Sequence, residues 1–464
     1  MANNRYKQLA GDMGIFIIGT VMAKAIQFLL MPLYTSYMTT TAYGTAELTN
    51  NFSELLFPIV TLCIHEAAFR YAVDPATDNG EITKSTERIL GISMLLGLLV
   101  AIPVKLIFHY RFAYYLYFVL YAYSFRMCSA YYVRGKGLSK EFAISGIINA
   151  AALGVFNVLF LVILDGGERG YLISLGASYI VSGLYLLFKG RIKEDLKNAS
   201  YNKQTNDLLL RFGMPLIFYN ILYWFTTISG RYVLLWFTDA STAGLYVAAI
   251  KISAVINMLQ QAVYAAFQLN TSKVYEEDDE KETYYSSIIN LFITIYSVFG
   301  AMMICMSPLI AKITLRGEFY SAKIYLPLIM FSALIFCIAS LLGVMYSTYK
   351  MTKRKIGVSL TGAFVNILAG ILLTPKLGIW GVCIASVLCY MSQAIYMTVD
   401  VNRFCHISYK KKTILTDVAA LTAVMALMTA DIKAGLIFSI AITLILFTIH
   451  IPDLKSVLKA VTSR

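Results

Sequence analysis

The chain has 464 residues, of which 58% are hydrophobic and only 14% charged, and its formal net charge is +13. A soluble globular chain carries about 45–50% apolar and about 25% charged residues, so this surplus of apolar side chains excludes a water-soluble fold. The positive charge does not imply a nucleic-acid partner, because the basic residues sit in short loops between apolar stretches and form no stripe interleaved with exposed aromatics.

In chain order, Met1–Gly11 is polar and has no short apolar core followed by a cleavage site. It reads as a cytoplasmic lead-in to a retained first helix. Fourteen apolar spans follow, near 12–34, 43–68, 88–109, 112–133, 140–164, 170–189, 208–237, 243–269, 284–310, 324–349, 355–374, 378–400, 413–430 and 433–450. Stretches of about 20 apolar residues cross the hydrocarbon layer as helices. Spans one, two, seven and eight carry polar residues and must face protein or water. The longest loops, 69–87 and 190–207, leave no room for an extramembrane catalytic domain, and the chain reads as a transporter rather than an enzyme.

The loops assign the sides. With the N-terminus inside, the inner segments hold 27 Lys and Arg residues and the outer loops 8. This is the asymmetry of the positive-inside rule for an even number of spans, with both termini in the cytoplasm.

A weak repeat runs through the chain. Thr41-Ala42-Tyr43-Gly44 opens span two and Thr242-Ala243-Gly244-Leu245 opens span eight. Ser145-Gly146-Ile147-Ile148-Asn149 in span five resembles Thr361-Gly362-Ala363-Phe364-Val365-Asn366 in span eleven. Both matches join a span to the sixth after it, which implies two like-oriented six-helix lobes with a substrate path at their interface. The expected organisation is a first lobe over 1–206 ending in a cytoplasmic linker, a second over 207–402, and a closing helix pair with a cytoplasmic tail over 403–464.

Four basic residues fall within spans: Lys24, Arg126, Arg231 and Lys251. A charge at mid-bilayer costs about 2.5–3.5 kcal/mol on insertion scales and needs a partner, water or a function. Lys24 lies roughly 15 Å from either end of its span at helical rise. Arg126 lies nearer the inner end of span four, within snorkelling reach, and is set aside. Polar residues gather on helical faces around these cations: Thr20, Lys24, Gln27 and Met31 in span one; Glu47, Asn51, Glu54, Pro58, Thr61 and His65 in span two; Asn220, Trp224, Thr227 and Arg231 in span seven; and Ser253, Asn257, Gln261, Tyr264 and Gln268 in span eight, with Lys251 at the edge. The expectation is a hydrated cationic cleft in which Lys24, Arg231 and Lys251 bind an anionic head group such as a pyrophosphate. Glu47, Asn51, Glu54, Gln27, Asn220, Asn257 and Gln261 would line it. Glu54 is the candidate to couple transport to H+, with Na+ the other ion considered. The alternative is structural: Glu47 or Glu54 pairs with Lys24, and the Asn and Gln side chains join helices.

Other motifs carry less. The seven cysteines form no Cys-x-x-Cys pair, and His65-Glu66 lacks the second histidine of a zinc motif, so no metal or cofactor is expected. The acidic run 276–282 reads as a solvated inner loop. No phosphate-binding Gly-rich loop and no nucleophile elbow are present in the sequence.

The chain opens with an Asn- and Lys-containing lead-in, then Gly14 to Pro32-Leu33-Tyr34, then Ala42-Tyr43-Gly44. Further on it holds Asn366, Leu373, Pro375 and Leu377-Gly378-Ile379-Trp380-Gly381, followed by Val382. In these features the sequence resembles the polysaccharide-transporter family of the MOP superfamily, the Wzx-type flippases of O-antigen, capsule and related glycans, from which Val382 departs in place of the family's alanine. The resemblance implies an all-α integral membrane protein of about fourteen transmembrane helices: two pseudo-symmetric lobes of MATE-like fold plus a C-terminal pair. It further implies alternating access, an undecaprenyl-pyrophosphate-linked oligosaccharide as substrate, a bacterial plasma-membrane location, and membrane lipids with the polymerase and glycosyltransferase machinery as partners. The rival readings are a lipid II flippase, a multidrug or metabolite exporter of the same superfamily, and a membrane enzyme such as a sugar polymerase or ligase.

Overall fold

The computed structural model describes residues 22, 25–26, 28–74, 77–107, 111–197, 199–277, 281–349, 351, 354–430 and 433–462. Among these residues every regular element is helical. Helices satisfy their own backbone groups, as a lipid solvent requires. Eleven of them are long and apolar enough to span a membrane, and a bent pair makes a twelfth. The fourteen expected also include Ala113–Gly135, a 23-residue helix whose many tyrosines and two arginines lower its hydropathy. The remaining one is span one, most of which, with Lys24 and Gln27, lies outside the described residues.

The chain packs as two units, Met1–Trp224 and Phe225–Arg464. In the first, α1 (Met31–Tyr37) leads to α2 (Thr40–Val60), α3 (Ile64–Ala72), α4 (Asn79–Ile107), α5 (Ala113–Gly135), α6 (Ser139–Asn157), α7 (Gly167–Lys189), the short α8 (Ile192–Lys197) and most of α9 (Lys203–Thr227). The second holds α10 (Ser229–Phe237), α11 (Ala240–Glu277), α12 (Lys281–Cys305), α13 (Ser307–Thr314), α14 (Leu326–Thr348), α15 (Arg354–Leu377), α16 (Ile379–Val401), α17 (Lys411–Thr429) and α18 (Lys433–Thr462). Packing sets these units, whereas the sequence repeat sets the lobe boundary at 206/207; the two criteria differ over residues 207–224, within α9.

Loop pairings within each unit follow the alternation of spans. In the first unit Lys136 Nζ meets Asp195 Oδ2 at 2.6 Å, and Asn202 Nδ2 donates to Glu81 Oε1 at 3.0 Å, which gathers three basic-rich loops at one end. Arg111 pairs with Glu168 at 3.3 Å, joining two basic-poor loops. In the second unit Arg354 pairs with Asp400 at 2.8 Å, and His406 N donates to Glu282 Oε1 at 3.0 Å, again among basic-rich loops.

Two spans read as continuous helices are broken. Span two bends by 60° between α2 and α3. Pro58 removes one backbone donor, and Leu62 and Cys63 both take φ 50°, a left-handed conformation that side chains disfavour. The single polar face expected from Glu47 to His65 therefore ends at the break, and His65 packs against Phe57 and Tyr131 with ring centroids 4.5 and 5.0 Å away. Gly213 of α9 lies against this break, where a Cβ would stand 2.5 Å from the Leu62 carbonyl oxygen. Span seven breaks between α9 and α10.

The repeat has a physical counterpart. Thr39 Oγ1 accepts from Ala42 N at 3.1 Å, and Asp239 Oδ1 accepts from Thr242 N at 2.8 Å. The same N-capping device thus opens α2 and α11. The Leu377-Gly378-Ile379-Trp380-Gly381 motif is the hairpin between α15 and α16. Gly378 takes φ 54°, and a Cβ on Gly381 would stand 2.6 Å from Thr374 N.

The closing pair is joined by a buried Asp417–His450 contact of 2.8 Å between α17 and α18. Removing one partner of a buried pair costs about 3–5 kcal/mol, whereas replacing both by apolar residues is often neutral. Asp417→Ala and His450→Ala are each expected to lower the thermal unfolding midpoint in detergent, and the double replacement by leucine to restore most of the loss.

Candidate functional site

The first unit builds a polar cluster around Glu47, which is 2% exposed. Its Oε1 accepts a hydrogen bond from the Tyr171 hydroxyl. Tyr34 stands edge-on to Tyr171 at 5.1 Å and stacks on Tyr43 at 5.9 Å, while Asn157 Nδ2 donates to the Tyr34 hydroxyl at 2.8 Å. Tyr34 and Tyr43 are the tyrosines of the Pro-Leu-Tyr and Tyr-Gly motifs, so both motifs converge on one carboxylate. Asn51, also 2% exposed, lies one helical turn beyond, and its carbonyl accepts from Trp224 Nε1 at 3.0 Å.

Glu54, half-buried, lies one further turn along α2, and Asn50 Nδ2 donates to it at 3.5 Å. Tyr123 and Tyr179, 5.2 Å apart, are each within Coulomb range of both Glu54 and Arg126. Arg126 does not snorkel as expected. Its Nε donates to Ser182 Oγ at 3.2 Å, and that hydroxyl donates to Ser145 O at 2.8 Å, so the guanidinium points into the helix bundle. Distance to the span end is a poor guide when a neighbouring helix offers an acceptor. Asn220 sits apart from this group: its Nδ2 donates to Glu66 Oε1 and to Leu216 O, both at 3.0 Å.

The second unit holds a small polar cavity of about 80 Å³. Arg231, Ser253, Asn257, Asn366, Ser386 and Tyr390 are among its lining residues. The break of span seven makes room for it. Interrupting the helix after Thr227 leaves Thr226 O to accept from Asn366 Nδ2 at 2.9 Å, and Thr226 Oγ1 donates to Ser359 O at 3.3 Å. Arg231 N then closes a turn on Ile228 O at 3.0 Å, placing Arg231 on the first turn of α10. Asn257 Oδ1 is buried without a hydrogen-bond partner among the described residues. A forked cation beside hydroxyl and amide groups can bind an oxyanion.

Of the sequence candidates, the structure thus brings Arg231 and Asn257 to one cavity and strings Glu47, Asn51 and Glu54 along α2. Lys251 and Gln261 are half-buried on α11 and do not line that cavity. Arg126, Asn366, Tyr390 and the tyrosines around the two glutamates were missed as site residues. Asn366 carried a signal through its place in the repeat, Tyr34 and Tyr43 through the Pro-Leu-Tyr and Tyr-Gly motifs, and Arg126 as a basic residue within a span; the others carried none.

Residues 9–267 match the family described as polysaccharide biosynthesis protein, more than half of the chain. The chain belongs to that family. Among solved structures it is similar to the lipid II flippase MurJ in an inward closed conformation, at 13% identity and a TM-score of 0.71, covering 97% of this chain and 99% of that one. It is also similar to an outward-facing multidrug resistance MATE transporter of the MOP superfamily, at 15% identity and a TM-score of 0.60, over 84% of this chain and 96% of that one. A MOP-superfamily transporter from Pyrococcus furiosus, whose binding pocket is described as reversed in polarity, matches at 14% identity and a TM-score of 0.59, over 84% of this chain and 95% of that one. These likenesses establish the MOP fold. No curated protein matches by sequence.

Each cluster depends on a hydrogen bond that can be deleted singly. Tyr171→Phe takes the hydroxyl donor from Glu47, and Asn366→Ala leaves Thr226 O without its amide; each is expected to cost about 1–3 kcal/mol. The fall in unfolding midpoint of the purified protein checks both, with Tyr114→Phe, half-exposed on α5, as a near-neutral control.

Proposed function

We propose that the protein is a flippase that moves a lipid-linked oligosaccharide, carried on undecaprenyl pyrophosphate, from the cytoplasmic to the outer face of a bacterial plasma membrane by alternating access. The observation that carries this reading is Arg231, a permanently charged fork at a polar cavity inside a membrane bundle, in a chain of the polysaccharide biosynthesis family. A translocating pyrophosphate leaves water with its negative charge, a state the bilayer interior penalises by several kcal/mol. Lys24, Arg231 and Lys251 are the proposed cationic contacts for that head group, with Gln27, Asn51, Asn220, Asn257 and Gln261 as polar lining. Glu47 and Glu54 are proposed as coupling groups, driven by H+ or Na+ rather than by a catalytic step. The chain would work beside the glycosyltransferases and polymerase of its pathway, both termini in the cytoplasm.

A lipid II flippase is the second reading, favoured by the likeness that runs the length of both chains. A cation exporter fits less well, because the charge at the cavity is positive.

Arg231→Ala, Lys24→Ala and Lys251→Ala are each expected to abolish complementation of a polysaccharide-flippase-deficient strain while leaving membrane abundance at the parental level. Arg231→Lys should be partly tolerated, since a point charge and a fork bind phosphate differently. Parental export by all three alanine variants, singly and combined, would sink the cationic mechanism. Rescue of a lipid II flippase-depleted strain alone would select the second reading.

Topology has its own test. Single cysteines placed in the 190–200 and 402–412 loops should resist impermeant thiol reagents in intact cells and react after permeabilisation. Labelling from outside would invert the assignment.

A further inference from the structure

A groove of about 420 Å³ runs along the second unit between α12, α14, α16 and the start of α17. Its walls are apolar, among them Ile293, Ile338, Ala394, Ile414 and Val418. At one end the walls change character: Tyr409 and Lys411 form the mouth. Lys410, Lys411 and Lys412 are consecutive and exposed there.

This mouth is held in place by bonds from its neighbours. Asn402 Oδ1 accepts from Ile407 N at 2.9 Å, and Glu282 Oε1 accepts from His406 N at 3.0 Å. Ser286 Oγ accepts from Ser408 N at 2.9 Å. Asn290 clamps the loop twice, donating to Ser408 O at 2.8 Å and accepting from Lys410 N at 3.0 Å. The connection between α16 and α17 is thereby held at four of the five residues 406–410, an ordered platform rather than a trailing polybasic segment.

The charge on that platform runs against the helix it opens. Lys411 and Lys412 occupy the first turn of α17, which contains no acidic residue. The N-terminal end of a helix is its positive pole and favours anions. Among the described residues, no carboxylate forms an ion pair with Lys411 or Lys412. An apolar trough with Lys411 in its lining and the exposed Lys410 and Lys412 on either side of it in the chain is complementary to one class of molecule: a hydrocarbon tail with a negative head group.

We propose that this groove is a binding site for an anionic phospholipid of the basic-loop leaflet, its acyl chain along Ile338, Ala394 and Val418 and its phosphate at Lys410–Lys412. The site lies wholly in the second unit, and the assignment does not depend on what the protein transports. Its effect would be to bind the closing helices to the rest of their unit through a lipid that both contact.

Native mass spectrometry of the full-length protein, purified in mild detergent and mixed with phosphatidylglycerol or with phosphatidylcholine of the same chains, tests the proposal. Phosphatidylglycerol should be retained in preference and should raise the unfolding midpoint. Combined replacement of Lys410, Lys411 and Lys412 by alanine should weaken its retention by about a hundredfold, since each lysine near an anionic surface contributes about 1 kcal/mol. Val418→Trp, on a half-exposed wall residue, should expel the tail without altering charge. All these side chains are exposed or at the groove surface, and elution as the parental species confirms that the variants fold. Equal retention of the two lipids, or parental retention by the lysine variant, overturns the site. So does displacement of phosphatidylglycerol by inorganic phosphate alone, which would leave a surface anion contact with no use for the groove.

Discussion

Polar groups withdrawn from water inside a lipid-facing bundle must find partners in the protein, and the demand is sharpest at a carboxylate. Glu47 meets it through the Tyr171 hydroxyl, in a nest of tyrosines that ties α1, α2 and α7 together. Tyr34 reaches the cluster only because α1 ends close to the start of α2. Tyr43 reaches it because the Thr39 cap fixes the first turn of that helix. The buried Asp417–His450 pair meets the same demand in the closing helices.

Broken spans are the second consequence of a lipid solvent. A break exposes backbone groups that water cannot satisfy, so it survives only where side chains replace the missing bonds. At span seven Asn366 supplies the replacement, and the interruption sets Arg231 at the cavity. At span two the backbone is strained at Leu62 and Cys63, and Gly213 lets α9 approach the kink directly. Strain of this kind persists only where surrounding packing over-determines it.

Fold and function separate cleanly in this superfamily architecture. The same helical plan is shared with a multidrug resistance transporter and with a lipid II flippase, so the plan alone does not select a substrate. On the reading proposed above, selection would fall to the charge presented within it. Here that charge is a guanidinium beside amides and hydroxyls in the second unit, and glutamates beside tyrosines and Arg126 in the first.

Much was legible in the sequence by itself. The solvent class and the helical nature of the described elements follow from composition and apolar run length, and the family from the resemblance carried by Pro32-Leu33-Tyr34, Ala42-Tyr43-Gly44 and Leu377-Gly378-Ile379-Trp380-Gly381. These are local quantities that need no knowledge of neighbours. The helical spacing of Glu47, Asn51 and Glu54 likewise placed them on one face of α2. What only the tertiary structure decided depends on which helix stands opposite. Arg126 turns inward because Ser182 of another helix accepts from it, 56 residues away in the chain. Asn220 is drawn to Glu66, and Lys251 falls outside the cavity that Arg231 and Asn257 share. The breaks in spans two and seven, too, were hidden: a proline or a polar residue permits a kink, but the partners that stabilise it come from distant segments, such as Asn366 for Thr226 O and Gly213 for Leu62.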